Sequence, residues 1–113
     1  MNLAVIGSRT VIDEELVFKI LDNFKGNIKV LISGGAKGAD KHAEKWAALN
    51  NIPTIIHLPD WVNHGKSAGI RRNRLIAQDC DQCVAFWDGE SKGTKSTIDL
   101  CLKLQKQIKI ISI

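Results

Sequence analysis

No apolar run in the chain approaches ~20 residues, the length a membrane-spanning helix needs, so no bilayer span is expected. Met1-Asn2-Leu3 leads straight into a core-like strand, so no signal peptide is expected and the cytoplasm is the anticipated compartment. Cysteine is scarce. Cys80, Cys83 and Cys101 make an odd set without a secretory signal, which predicts reduced thiols rather than disulfides. Cys80-Asp81-Gln82-Cys83 has C-x-x-C spacing but no second pair, so a zinc site would have to recruit His42, His57 or His64. A redox pair usually opens a helix after a strand, whereas this one precedes a strand, and buried small-residue packing is the better reading. No metal motif, resident cofactor, repeat, low-complexity tract or linker is read. A nucleophile, base and orienter at defined spacing are missing too. Asp40, Asp60, Asp88, His57 and His64 offer acids or bases, with Asp88 and Asp60 the candidates for catalysis, but no partner residues accompany them. Excess charge is slight: 16 basic against 12 acidic residues give +4 and a pI near 9.1, which tolerates an anionic ligand without demanding nucleic acid.

What is present reads as one soluble domain over residues 1–113, with 44% hydrophobic and 25% charged residues. Its centre is Ser33-Gly34-Gly35-Ala36-Lys37-Gly38-Ala39-Asp40, which follows the apolar run Val30-Leu31-Ile32. The pattern predicts strand, glycine turn, helix. Such a turn suits an anion, since the opening helix leaves N–H groups unpaired and carries partial positive charge. Neither the dinucleotide fingerprint nor a Walker loop fits, because Ala36, Lys37 and Ala39 stand where glycine is required. Gly65-Lys66-Ser67 fails as well, with Asp60 at the first Walker position.

Strands are predicted at Leu3–Ile6, Lys29–Ser33, Thr54–His57, Gln82–Phe86 and Lys109–Ile113. The first helix starts between Thr10 and Asp13 and packs Val17, Ile20, Leu21 and Phe24. The second covers about residues 38–50 with Ala39, Ala43, Trp46 and Ala47 inward. After a long connection, Leu58 to Ala68, the third runs from Gly69 to Asp79 with Ile70, Leu75, Ile76 and Ala77 as core. The fourth opens at Ser91-Lys92-Gly93-Thr94 and packs Ile98, Cys101 and Leu102. This alternation predicts an α/β, three-layer, Rossmann-like domain with a five-stranded, mainly parallel sheet in the order 3-2-1-4-5. All strand-to-helix turns of such a sheet lie on one rim.

Three segments are therefore expected to converge: Gly7-Ser8-Arg9, Ser33 to Asp40, and Trp87-Asp88 through Gly93-Thr94. They bring backbone donors, hydroxyls at Ser8, Ser33, Ser91 and Thr94, and cations at Arg9, Lys37 and Lys92. That inventory suits phosphate and ribose. Asp40 either binds ribose hydroxyls or stabilises its own helix end. In Arg71-Arg72-Asn73-Arg74, successive residues point about 100° apart. Asn73 and one neighbouring arginine, Arg72, are assigned to the site because a buried asparagine must find partners. Trp61 and Trp87 are candidates to stack on a base, and Trp46 is assigned to the core.

Ile6-Gly7-Ser8-Arg9, Ser33 to Asp40 with His42-Ala43, Arg72-Asn73-Arg74-Leu75-Ile76-Ala77, and Phe86-Trp87-Asp88-Gly89 with Lys92-Gly93-Thr94 resemble the SLOG superfamily of Rossmann-like proteins. The likeness is closest to its short YpsA-related members in bacteria and phages, and the second and third motifs also resemble the DNA-processing protein DprA. The resemblance implies a nucleotide or nucleotide-derived small-molecule ligand, such as an ADP-ribose-like signal, on Gly7, Ser8, Arg9, Gly34, Gly35, Gly38, Asp40, Asn73, Gly93 and Thr94. It also implies a homo-oligomer. Enzymatic relatives, the phosphoribohydrolases, carry G-G-x-G-T-x-x-E with a catalytic glutamate, where this chain has Thr97 and the lead Asp88-Gly89. A nucleotide or nucleoside-phosphate hydrolase is thus an alternative, and DprA-like single-stranded DNA binding a lesser one.

Overall fold

Four residues of β1, Leu3 to Ile6, lie buried between neighbours on both sides and helices on both faces, as an unbroken apolar run requires. In the computed structural model, residues 1–10 and 13–113 are described. The elements are β1 (Asn2–Gly7), α1 (Glu14–Asp22), β2 (Val30–Ser33), α2 (Ala39–Leu49), β3 (Thr54–Ile56), α3 (Trp61–His64), a 3₁₀ turn (Gly65–Ser67), α4 (Ala68–Asp79), β4 (Gln82–Trp87), α5 (Lys92–Lys103) and β5 (Gln107–Ser112). All pairings are parallel and the order is β3-β2-β1-β4-β5, as the alternation predicts. β1 registers Leu3 on Gln82 and Gly7 on Phe86 of β4.

The two faces hold separate cores. On one, α1 and α2 cover Leu3, Val5, Leu31, Val84 and Phe86, with Val17, Leu21, Ala43, Trp46 and Ala47 from the helices. Trp46 adds a hydrogen bond from Nε1 to Asp22 Oδ1 at 2.8 Å, which satisfies its one polar atom and ties α2 to α1. On the other, Ile76, Ala77, Cys80, Ile98 and Cys101 pack on Ala4, Ile6, Ile32, Cys83 and Ala85. All three cysteines are free and buried, in keeping with the packing reading.

Helix α1 is capped by Asp13, whose Oδ1 accepts from Leu16 N at 3.0 Å. Residues 11 and 12, part of the expected start, lie outside the described residues. Phe24 falls beyond α1 and is only partly buried.

Four expectations are corrected. The connection after β3 is not all loop: Asp60 caps α3, accepting from Asn63 N at 3.1 Å. Ile70 and Leu75 are 55% and 46% exposed, because the inward face of α4 is Asn73, Ile76 and Ala77, from which Leu75 points away at helical pitch. Leu102 is likewise exposed, one position past the inward Cys101. Strand β5 starts at Gln107, two residues early, since an edge strand with its outer positions exposed tolerates Gln107 and Lys109. Among the described residues no helix is long and apolar enough to cross a membrane.

Candidate functional site

Strands β1 and β4 are neighbours whose crossovers leave in opposite directions along the sheet, and in open α/β sheets that seam is where a crevice forms. A cleft of about 90 Å³ lies there. Ile6 and Ile76 bring apolar surface to its lining. Gly7 and Arg9 come from the turn after β1, Ala36 and Asp40 from the start of α2, Arg72 and Asn73 from α4, and Ser91, Gly93, Thr94 and Thr97 from the start of α5.

Backbone geometry holds these segments together. Ser8 N donates to Phe86 O at 3.0 Å, and Ser8 Oγ accepts from Asp88 N at 3.3 Å, joining the first and last turns. Gly38 has φ 79°, and a Cβ there would stand 2.7 Å from Ser8 O. Only glycine lets the two turns lie this close.

The glycine turn is occupied differently from the expectation. Ser33 Oγ accepts from Gly35 N at 3.2 Å and donates to Glu44 Oε2 at 2.7 Å. Asp40 Oδ2 accepts from Ala36 N at 3.1 Å. The protein's own oxygens thus take the Gly35 and Ala36 amides, because side chains two and four residues onward or back reach them first. Helix α2 starts after Gly38 without a side-chain cap, whereas α5 has one. Ser91 caps it, its Oγ accepting from Thr94 N at 3.4 Å and lying 3.1 Å from Thr94 Oγ1. The amides of Lys92 and Gly93, among the described residues, have no protein acceptor. A Cβ on Gly93 would meet nothing within 4 Å.

Arg72 donates from Nη1 to Gly34 O at 2.6 Å and from Nε to Asn73 Oδ1 at 2.9 Å. This fixes the Asn73 amide with its nitrogen left for the cleft. Burial pulls the Arg72 pKa below its usual range; Asp40 opposes the fall and Arg9 adds to it. Two guanidiniums therefore repel one another across the cleft. Asp40, 5% exposed, is pushed up to about 6 by burial, against the Ala36 amide and Arg72, with Glu44 adding to the rise.

Of the residues assigned from sequence, Gly7, Arg9, Ala36, Asp40, Arg72, Asn73, Gly93 and Thr94 line the cleft. Ser8, Ser33, Gly34, Gly35 and Gly38 shape the turns behind it without lining it. Lys37 is exposed outside the lining. Trp87 is committed elsewhere: Nε1 donates to Ser91 O at 3.1 Å and its ring packs on the second core. Trp61 lies 57% exposed, its ring near the Gly69 position at the start of α4. Neither tryptophan lines the cleft. The same holds for the two carboxylates proposed for catalysis. Asp88 Oδ1 accepts from Glu90 N and Ser91 N, both at 2.8 Å, which lowers its pKa, the Ser91 amide most. Asp60 is held by the side chain and backbone of Asn63, which lower its pKa likewise. Short carboxylates after a turn bond forward to backbone amides: here Asp60 caps α3 and Asp88 closes the turn before Ser91. Ile6, Ile76 and Thr97 line the cleft without having been assigned to it; the position of Ile6, last in the β1 run, was the available signal. Thr97 Oγ1 donates to Gly93 O at 3.3 Å. Among the described residues no group of three or more His, Cys, Asp and Glu side chains is placed to hold a metal.

Residues 1–64, which carry the β1 turn, the glycine turn and Asp40, match the family model YAcAr, described as the YspA, cpYpsA-related SLOG family. The chain belongs to this family. Among relatives of this SLOG chain, the Gene 61 protein of Mycobacterium phage D29 is 40% identical over 72 residues, covering 58% of each protein. A crystal structure of DprA from Streptococcus pneumoniae superposes with TM-score 0.84 at 21% identity, over 99% of this chain and 50% of that one. DprA from Helicobacter pylori, described for its single-stranded DNA binding mode, gives 0.78 at 22% identity, over 97% of this chain and 64% of that one. At such identities these structures speak for the fold. The chain spans between half and two thirds of the length of these relatives.

Proposed function

We propose that this SLOG chain binds a nucleotide or nucleotide-derived molecule of the ADP-ribose type at the C-terminal rim of its sheet, acting as a sensor or sequestering protein. The observation that carries the reading is the pair of mutually repelling arginines, Arg9 and Arg72, in one cleft with the unpaired Lys92 and Gly93 amides at the start of α5. An anionic group relieves the repulsion and satisfies the amides together. The cleft volume of about 90 Å³ is below the several hundred Å³ of a site that engulfs a whole ligand. It suits one phosphate with part of a pentose, Asn73 facing the sugar hydroxyls and the base lying outside. Calorimetry with a panel of nucleotides and ADP-ribose species tests this. Arg9, exposed and unpaired among the described residues, gives the cleanest variant: Arg9→Ala is expected to weaken binding about tenfold or more while stability changes by less than ~0.5 kcal/mol. Equal affinity of variant and wild type refutes the site.

A second reading follows from the same small volume. A cleft that holds only phosphate and sugar also suits an internal phosphate of single-stranded DNA. That ligand predicts an affinity falling steeply with salt, several counterions being released. The hydrolase alternative rests on Asp60 and Asp88, which lie outside the cleft lining. Self-association is expected through the edge strand β3, where Ile55 and Ile56 are 40% and 43% exposed.

A further inference from the structure

Among the described residues, Asp40 is the only acidic one in the lining of a cleft otherwise furnished with two guanidiniums, an amide, hydroxyls and a helix start. The residue is 5% exposed, and its carboxyl spends Oδ2 on the Ala36 amide. Among the described residues no lysine or arginine nitrogen lies within ion-pair distance of it. Arg72, on the α4 wall, has turned its donors to Gly34 O and Asn73 Oδ1 instead. The charged groups facing Asp40 are Arg72 from α4, Arg9 from the turn after β1, and Glu44 one turn along α2, itself bound to Ser33 and Lys41. An anion entering this space meets a carboxylate that is buried, lacks an ion pair and cannot turn away without releasing the glycine turn.

We propose that the cleft takes up its anion together with one proton, held on Asp40, so that affinity for the anion falls as the pH rises. This rests on the cleft being the anion site. Two like charges in one small cavity disfavour joint ionisation, and a protonated carboxyl has a hydrogen to donate to the anion while its other oxygen keeps the Ala36 amide. Burial already pushes the carboxyl up to about 6, so the coupling falls between mildly acidic and neutral pH. There a small change in proton activity alters occupancy.

The probe must not titrate itself, since a phosphate monoester loses its second proton near pH 6. Sulfate serves, with ADP-ribose, a diester, as the larger probe, both at constant ionic strength. Isothermal calorimetry from about pH 5 to about pH 8 is expected to show a plateau and then a loss of about tenfold for each unit by which the anion raises the Asp40 pKa. Near pH 6.5, wild type titrated in two buffers of different ionisation enthalpy should take up a measurable fraction of a proton. Asp40→Asn retains an acceptor for Ala36 N and is expected to bind with an affinity flat in pH. Binding by wild type without proton uptake overturns the proposal, as does the same pH slope in Asp40→Asn, which would assign the proton to a histidine. If wild type binds neither probe even at about pH 5, the anion site itself is refuted, and the proton coupling with it.

Discussion

Gly93 separates what the fold needs from what the cleft needs. It is the second helical residue of α5, after the cap Ser91 and Lys92, and its exposed Cα faces open space for at least 4 Å where a Cβ would project. Its φ is not left-handed. Nothing in the folded chain therefore calls for glycine, and the residue costs stability: alanine is better than glycine in a helix by about 0.8–1 kcal/mol, somewhat less in the first turn. Gly93→Ala should accordingly stabilise the empty protein by roughly 0.5–1 kcal/mol, a rise in Tm of about 2–8 °C for a domain of this size. The same methyl group would stand at the cleft beside the free amides of α5, and an anion kept from close approach should lose about tenfold in affinity, or 1.4 kcal/mol. Differential scanning calorimetry without ligand and titration calorimetry with sulfate measure the two effects on one sample. A variant that melts lower would mean that the fold requires this glycine after all. A variant that binds as tightly as wild type would remove the α5 start from the site. Gly38→Ala is the contrasting control: with φ 79° and a Cβ 2.7 Å from Ser8 O and 2.9 Å from Arg9 O, it should lose about 2 kcal/mol or more.

Asp40 makes the empty protein's stability depend on pH. The folded carboxyl holds its proton up to about 6, against an ordinary aspartate value of 3.8 in the unfolded chain. The folded chain therefore binds more protons than the unfolded chain between these values, and stability is greatest below the lower and is lost as pH rises through the upper. The difference corresponds to about 3 kcal/mol; urea melts from about pH 4 to about pH 7 should show the decline in wild type and not in Asp40→Asn, and parallel curves would refute the assignment. Cys80, whose pKa is raised by its hydrogen bond with Cys101 and by burial, should react with a thiol reagent only as fast as the chain unfolds, and rapid labelling of the native protein would contradict the packing of the second core.

The strand order was legible because each strand is an apolar run closed by glycine or polar residues, as at Leu3–Ile6 followed by Gly7-Ser8-Arg9, and because the inward face of α2 repeats at Ala39, Ala43, Trp46 and Ala47. Convergence of the turns followed from parallel topology. What periodicity does not carry is where a polar side chain spends its hydrogen bonds. The glycines of residues 34–38 advertise open amides, yet Ser33 and Asp40 close over two of them, those of Gly35 and Ala36. Ile70 and Leu75 look like core by composition, but the helix presents Asn73 inward instead, where Arg72 holds its carbonyl oxygen. The short helix after Asp60 depends on two bonds from Asn63, through its backbone and its side chain, which leave no repeating pattern to read.

The cleft draws one wall from the first half of the chain, through Arg9 and Asp40, and the facing wall from the second half, through Arg72, Asn73 and the head of α5, with only the β1–β4 seam beneath. A molecule lodged there fastens the two halves to each other like a clasp. Occupancy should thus slow amide exchange on both sides of that seam at once, including in helices the molecule never touches.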